Sequence, residues 1–290
     1  VKPQRDKVYA IGKQIHESDF WKFWDKRPEL YEKIRNSTMV LVCAAVTKYV
    51  QFSSVSTDFV FSHKLIVIPT NTYRIAAYLN SSLHNEWVAQ FSSTLGASTI
   101  NYSVRDAFET FPFSQQLNIV KEKNLEDIGK KYIDYRKCIM IGMNLGLTKT
   151  YNLFHNNVIL ESSINYNHKE FLSLKKHLEK TNECYTINEA VQGILKLRAL
   201  HIKMDEVILD AYDWNDIRLQ HNFYEVDYLP ENDRIRFTIH PEARKEILKR
   251  LLALNHKIHD EEIQDESNCL ISKKKSKSSK AKNQDQTELF

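Results

Sequence analysis

Met39-Val40-Leu41-Val42-Cys43-Ala44-Ala45-Val46-Thr47 decides the fold class. Nine residues without a charge, a continuous apolar run, read as sheet strand. Downstream, Tyr49–Val55 alternates weakly, and Lys64–Ile68 is β-branched and stops at Pro69. Upstream, Phe20, Trp21, Phe23 and Trp24 form an aromatic helical stretch, and Pro28 suits the first turn of a helix running to Arg35. Thr70 is a candidate cap for a helix carrying Ile75, Leu79, Leu83 and Trp87 at four-residue spacing. A further extended piece, Ala97–Ser103, follows Gly96.

Beyond Phe113 the period changes to that of helices. Asn124 with Asp127 gives a start signal and Gly146 a stop. Thr186-Ile187-Asn188-Glu189 is a capping box opening a helix to about Tyr212. Two short strands are predicted at 222–228 and 234–239, and Pro241 opens a last helix with Ile247, Leu248, Leu251, Leu252 and Ile258. The expectation is an α+β chain in four parts. Residues 1–36 are a helical lead-in, 37–118 a mixed α/β recognition domain, 119–265 a mainly helical domain with a β-hairpin, and 266–290 a disordered basic tail.

Composition narrows the chemistry. In 290 residues there are six glycines, at 12, 96, 129, 142, 146 and 193, so neither Gly-x-Gly-x-x-Gly nor a P-loop exists. Cys43, Cys138, Cys184 and Cys269 stand far apart, which points away from a zinc knuckle and towards reduced thiols in a cytoplasmic protein. No apolar run reaches the ~18–20 residues of a membrane helix, so a membrane partner is not expected. The formal charge is +4, but six lysines crowd 273–282, and without them it falls to −2. Any nucleic-acid contact in the folded part must come from a local patch. The tail itself has too few apolar groups to fold, and its lysines can attract phosphates nonspecifically.

Eleven histidines form no catalytic constellation. His256 and His259 lie three apart on a face read as exposed; Asp205, Glu206 and Asp210 read as the wet side of a helix; Ser81 and Ser82 lack nucleophile-elbow glycines. Neither a catalytic nor a metal-binding set is therefore assigned. Lys48, Tyr49, Gln51 and Ser53 on one hairpin, His63 and Lys64 at the next strand, and Ser98, Thr99, Asn101 and Arg105 at the one after supply the amides, hydroxyls and cations that read base edges and phosphates.

An ordered set of motifs sharpens this reading. Phe108-Glu109-Thr110-Phe111-Pro112-Phe113, Gly146–His155, Leu197–Asp205 and Asp210-Ala211-Tyr212-Asp213-Trp214 occur in that order. Arg27–Tyr31, Arg236–Ile239 and Leu251–His256 extend the match over most of the chain. Together they resemble the C-terminal third of large DNA adenine methyltransferases, the MmeI-like class of type II restriction–modification enzymes and related phage-defence methylases. The resemblance implies a target recognition domain followed by a helical region, with double-stranded DNA as partner. It also implies that Ala97, Thr99 and Asn101, the alternate residues before Tyr102-Ser103, read bases. Strand alternation independently puts those three on one face. Such enzymes bind S-adenosylmethionine through a glycine motif and hold adenine with [Asn/Asp]-Pro-Pro-[Tyr/Phe]. This sequence has no Pro-Pro pair, so cofactor and catalysis are expected in an upstream methyltransferase domain of the same polypeptide, which the opening Val1 suits. The competing expectation is a noncatalytic specificity subunit or scaffold that pairs with a separate methylase.

Overall fold

A computed structural model describes residues 27–96, 98–160, 168–181 and 185–284, with side chains up to residue 264 except at Glu170. The aromatic stretch Phe20–Trp24 and Ala97 lie outside the described residues. Helix α1 (Pro28–Arg35) starts on its proline as expected, and the Tyr31 hydroxyl accepts from the Phe61 backbone N–H at 3.1 Å.

The apolar run divides into β1 (Met39–Ala44) and β2 (Val46–Thr47), which belong to different sheets. Ala45 is the joint. Its N–H donates to the Lys64 carbonyl and its carbonyl accepts from the Tyr102 N–H, both at 2.8 Å. In the first sheet β1 lies between β3 (Ser53–Val55) and β4 (Leu65–Thr70), antiparallel to both. Strand β4 runs through Pro69, which the sequence reading took as its end. An edge strand tolerates proline because one of its sides needs no N–H. The second sheet has the order β2-β6-β5, with β5 (Ser93–Leu95) and β6 (Thr99–Asn101) forming a hairpin.

The single helix expected after Thr70 is two helices. Thr72, not Thr70, caps α2 (Tyr73–Asn80), its hydroxyl accepting from the Arg74 N–H at 3.1 Å. Ser81 then ends α2 and caps α3 (Ser82–Phe91), accepting from the His84 N–H at 3.2 Å. The apolar stripe persists across the break, with Leu79, Leu83 and Trp87 buried. A π-helical turn, Val104–Phe108, follows β6.

Helix α4 (Ile119–Gly142) starts before the expected Asn124, because Asn118 caps it, accepting from the Lys121 N–H at 2.9 Å. It ends at Gly142, and Asn144 takes the left-handed turn (φ 47°). Gly146 therefore caps the start of α5 (Leu147–Phe154) instead of stopping α4. Helix α6 (Lys169–Thr181) precedes α7 (Ile187–Ala211), which opens on the capping box of Thr186 and Glu189. Strands β7 (Asn222–Glu225) and β8 (Ile235–Thr238) pair as a hairpin, shorter than the sequence suggested. Helix α8 (Pro241–Gln284) buries Ala243, Ile247 and Leu251, and no residue from 252 to 264 is buried. Its backbone stays helical across 266–284, most of the stretch that composition marks as a tail.

No gap in packing separates the parts on either side of residue 118. One apolar core runs from Leu41 through Phe52, Leu79, Tyr132 and Leu197 to Leu251. Helices α2 and α4 touch so closely that a Cβ on Gly129 would sit 2.2 Å from the Tyr73 carbonyl oxygen. Only glycine permits that approach.

Candidate nucleic-acid interface

The β5–β6 hairpin projects from the sheet. Strand β2 pairs only with its base, Val46 opposite Asn101 and Thr47 opposite Ile100, leaving the Leu95–Thr99 end free of a third strand. Gly96, at φ 72°, makes the turn in a backbone conformation that disfavours side chains. Residues directly opposite in antiparallel strands share a face. Asn101 therefore shares one with Val46 and Ser93, and Thr99 with Leu95.

That face is open. Asn101 and Ser93 are exposed, Leu95 is 62% exposed and Val46 46%, while Thr99 is half-buried. The opposite face carries Ile100, which packs on the core. The Asn101 amide donates only a 3.3 Å bond to the Ser93 hydroxyl, so its hydrogen-bonding capacity is largely free. Ser98 is half-buried at the turn. Arg105 is exposed on the π-helical turn, which Ser103 caps by accepting from the Asp106 N–H at 3.1 Å. His63 and Lys64 are exposed at the start of β4, beside the Ala45 joint. Neither Lys64 nor Arg105 makes an ion pair among the described residues. Val46, Ser93 and Leu95 escaped the sequence reading because register between strands distant in sequence, not alternation within one, places them here.

Four other candidates are engaged within the fold: Tyr49 and Gln51 are buried, Lys48 and Ser53 half-buried. Lys48 pairs with Asp233 at 2.9 Å and lies 5.2 Å over the Tyr49 ring. Tyr49 is buried, stacked on His155 at 5.1 Å, and donates to the Asn152 side-chain oxygen at 2.9 Å. Gln51 is buried, its oxygen accepting from Arg136 at 2.9 Å and from the Tyr151 hydroxyl at 2.6 Å. The Ser53 hydroxyl accepts from Arg136 at 3.3 Å. A duplex reaches Tyr49 or Gln51 only if this network comes apart. Gln51 and Ser53 accept from the fully buried Arg136 on α4, and Tyr49 and Gln51 bond to Asn152 and Tyr151 on α5.

Asp205 is likewise not on a wet face but fully buried. It accepts from the Ser82 N–H at 2.9 Å and lies 2.7 Å from His221 Nε2 and 3.5 Å from His201 Nε2. Burial alone would raise its pKa; the histidines and Ser82 outweigh it and hold the carboxyl below the usual range. His201 is kept neutral chiefly by burial. The Ser82 hydroxyl is 2.9 Å from His201 Nε2, but Asp205 approaches that same nitrogen, while Nδ1 faces the Tyr132 hydroxyl at 3.3 Å. A serine–histidine–aspartate relay needs the carboxylate on the other nitrogen. This cluster is a structural tie between α3, α7 and the segment before β7. Nearby, burial pushes the Glu86 carboxyl up to about 7 against the pull of Arg244, 3.9 Å away. His256 and His259 are exposed, and no group of metal-ligating side chains forms among the described residues. No helix among them is long and apolar enough to cross a membrane.

No family model and no curated protein matches this sequence. Among solved structures it is similar to the type IIL restriction–modification enzyme MmeI in complex with DNA, with TM-score 0.45 and 16% sequence identity over 77% of this chain and 22% of that one. The chain thus spans about a fifth of that enzyme's length.

Proposed function

We propose that this chain is the sequence-reading portion of a site-specific, S-adenosylmethionine-dependent DNA adenine (N6) methyltransferase of a restriction–modification or phage-defence system. The observation that carries the reading is the β5–β6 hairpin. Its open face presents Thr99 and Asn101 side by side, at two of the positions that the motif resemblance assigns to base reading.

A two-stranded ribbon is an element the major groove admits. The Asn101 amide, donor and acceptor in one plane, matches the N6 and N7 edge of adenine, and the Thr99 hydroxyl can donate or accept. Lys64 and Arg105 supply sequence-independent attraction to phosphates. The helical half sets the angle at which the hairpin meets the duplex. The upstream domain supplies the cofactor site and receives the adenine swung out of the stack, as chemistry on a base requires.

Selection of bound duplexes from a randomised library tests the proposal. The full chain should enrich one site. Asn101→Ala should relax the choice at one base by roughly 1–3 kcal/mol, whereas Lys64→Ala should weaken all sequences alike. Equal weakening on every sequence by Asn101→Ala would reject base reading. Methylation is tested separately: the longer reading frame should carry the proline–proline motif upstream of Val1.

A further inference from the structure

We infer that Leu95 is a specificity-determining contact for the C5-methyl group of a thymine near the base read by Asn101. The inference rests on the DNA-reading function proposed above and concerns residues that the family motif does not assign.

Two of the five residues on the hairpin's open face, Val46, Ser93, Leu95, Thr99 and Asn101, are aliphatic, and none is acidic. Leu95 is 62% exposed beside the turn, where no third strand lies next to it. A leucine so placed contributes nothing to the core. A patch that mixes such groups with a free amide and two hydroxyls matches a surface that is polar but carries an isolated apolar spot. The major-groove edge of a T·A pair is such a surface, because the thymine methyl is the one apolar group among the base edges there. The unpaired cations Lys64 and Arg105 favour a polyanionic duplex over a protein surface of the same polarity.

Sheet geometry fixes the spacing. Val46 lies directly across from Asn101, about 5 Å away, and Leu95 is its diagonal neighbour at about 7–8 Å. Bases along one strand follow each other at about 3.4 Å. The thymine sensed by Leu95 therefore lies about two base steps from the base held by Asn101, on the side of Asn101 away from Val46.

Deoxyuridine scanning isolates the methyl, since it changes nothing else on the base edge. The full chain is first used to select its preferred duplex; each thymine in that duplex is then replaced by deoxyuridine. One replacement, within about two positions of the base relaxed by Asn101→Ala, should weaken binding about fourfold, the effect of one buried methyl group. Leu95→Ala, on an exposed residue that leaves the fold intact, should bind the thymine and uracil duplexes equally. Leu95→Met should keep most of the discrimination. A preferred site whose thymines all tolerate uracil, or a site without thymine, overturns the role of Leu95 while leaving base reading by Asn101 standing. A chain that selects no site at all overturns both.

Discussion

The Asp205 carboxylate accepts a 2.9 Å hydrogen bond from the backbone N–H of Ser82, a residue 123 positions away at the first turn of α3. A buried carboxylate at a helix N-terminus interacts well with the amides there and with the helix dipole. Asp205→Asn keeps the shape but removes the charge and sets an amide NH2 against groups that donate. The expected cost is about 3 kcal/mol in urea denaturation, with loss of the tie to His221. A change below about 0.5 kcal/mol would mean that the carboxylate adds nothing to the fold.

The helix glycines should respond in opposite directions. In Gly129→Ala the new methyl meets the Tyr73 backbone, which cannot swing aside, so the loss should be roughly 2–3 kcal/mol. In Gly193→Ala it would lie 3.4 Å from an Ile139 methyl, and the better helix propensity should add about 0.5–1 kcal/mol. Melting temperatures of the two variants on either side of the parent would check this.

Acid should destabilise the protein. Burial lowers His84 from 6.5 to about 3 and also depresses His155 and His201. Each ring is neutral in the folded state but protonates in the unfolded chain below 6.5, so its stabilising contribution is lost as pH falls from 6.5 towards the depressed value. Glu86 acts oppositely: raised from 4.5 to about 7, its contribution is complete below 4.5 and lost as pH rises through 7. Three rings outweigh one carboxyl, so stability should drop by roughly 1–3 kcal/mol per unit between about pH 6 and 5. Glu86→Gln should gain stability relative to the parent at about pH 8 and not at about pH 4.5. A flat urea profile over this range would refute the assignment.

Removing 272–290 should leave the melting temperature unchanged, because among the described side chains of α8 none beyond Leu251 is buried. The loss of six lysines should lower nonspecific DNA affinity and flatten its salt dependence. Calorimetry and binding at two salt concentrations give both readouts.

Local signals in the sequence carried much of this architecture. The capping box at Thr186, the proline starts of α1 and α8, and the apolar stretch 39–44 each encode their own geometry within a few residues. What escaped was set by distant partners. Ser81 breaks a stripe that looks continuous, because Asn80 turns inward to satisfy the Phe52 backbone and Arg136. The polarity of Gln51 and Asp205 reads the same whether water, DNA or a buried arginine or histidine answers it. On β6, alternation placed Thr99 and Asn101 together, but only register could bring Val46, Ser93 and Leu95 beside them.

The break at Ser81 gives α3 a mechanical role. Its first turn is pinned to Asp205 and His201, and its last residue, Phe91, lies two positions before the β5–β6 hairpin begins. Ten residues make a strut about 15 Å long. A tilt of about 10° at the pinned end would carry the far end nearly 3 Å, the length of a whole hydrogen bond to a base edge. The aim of the hairpin is thus set from a buried anchor, and under the DNA-reading role proposed above, substitutions at Asp205 or His201 should blur which sequence is selected before they abolish binding.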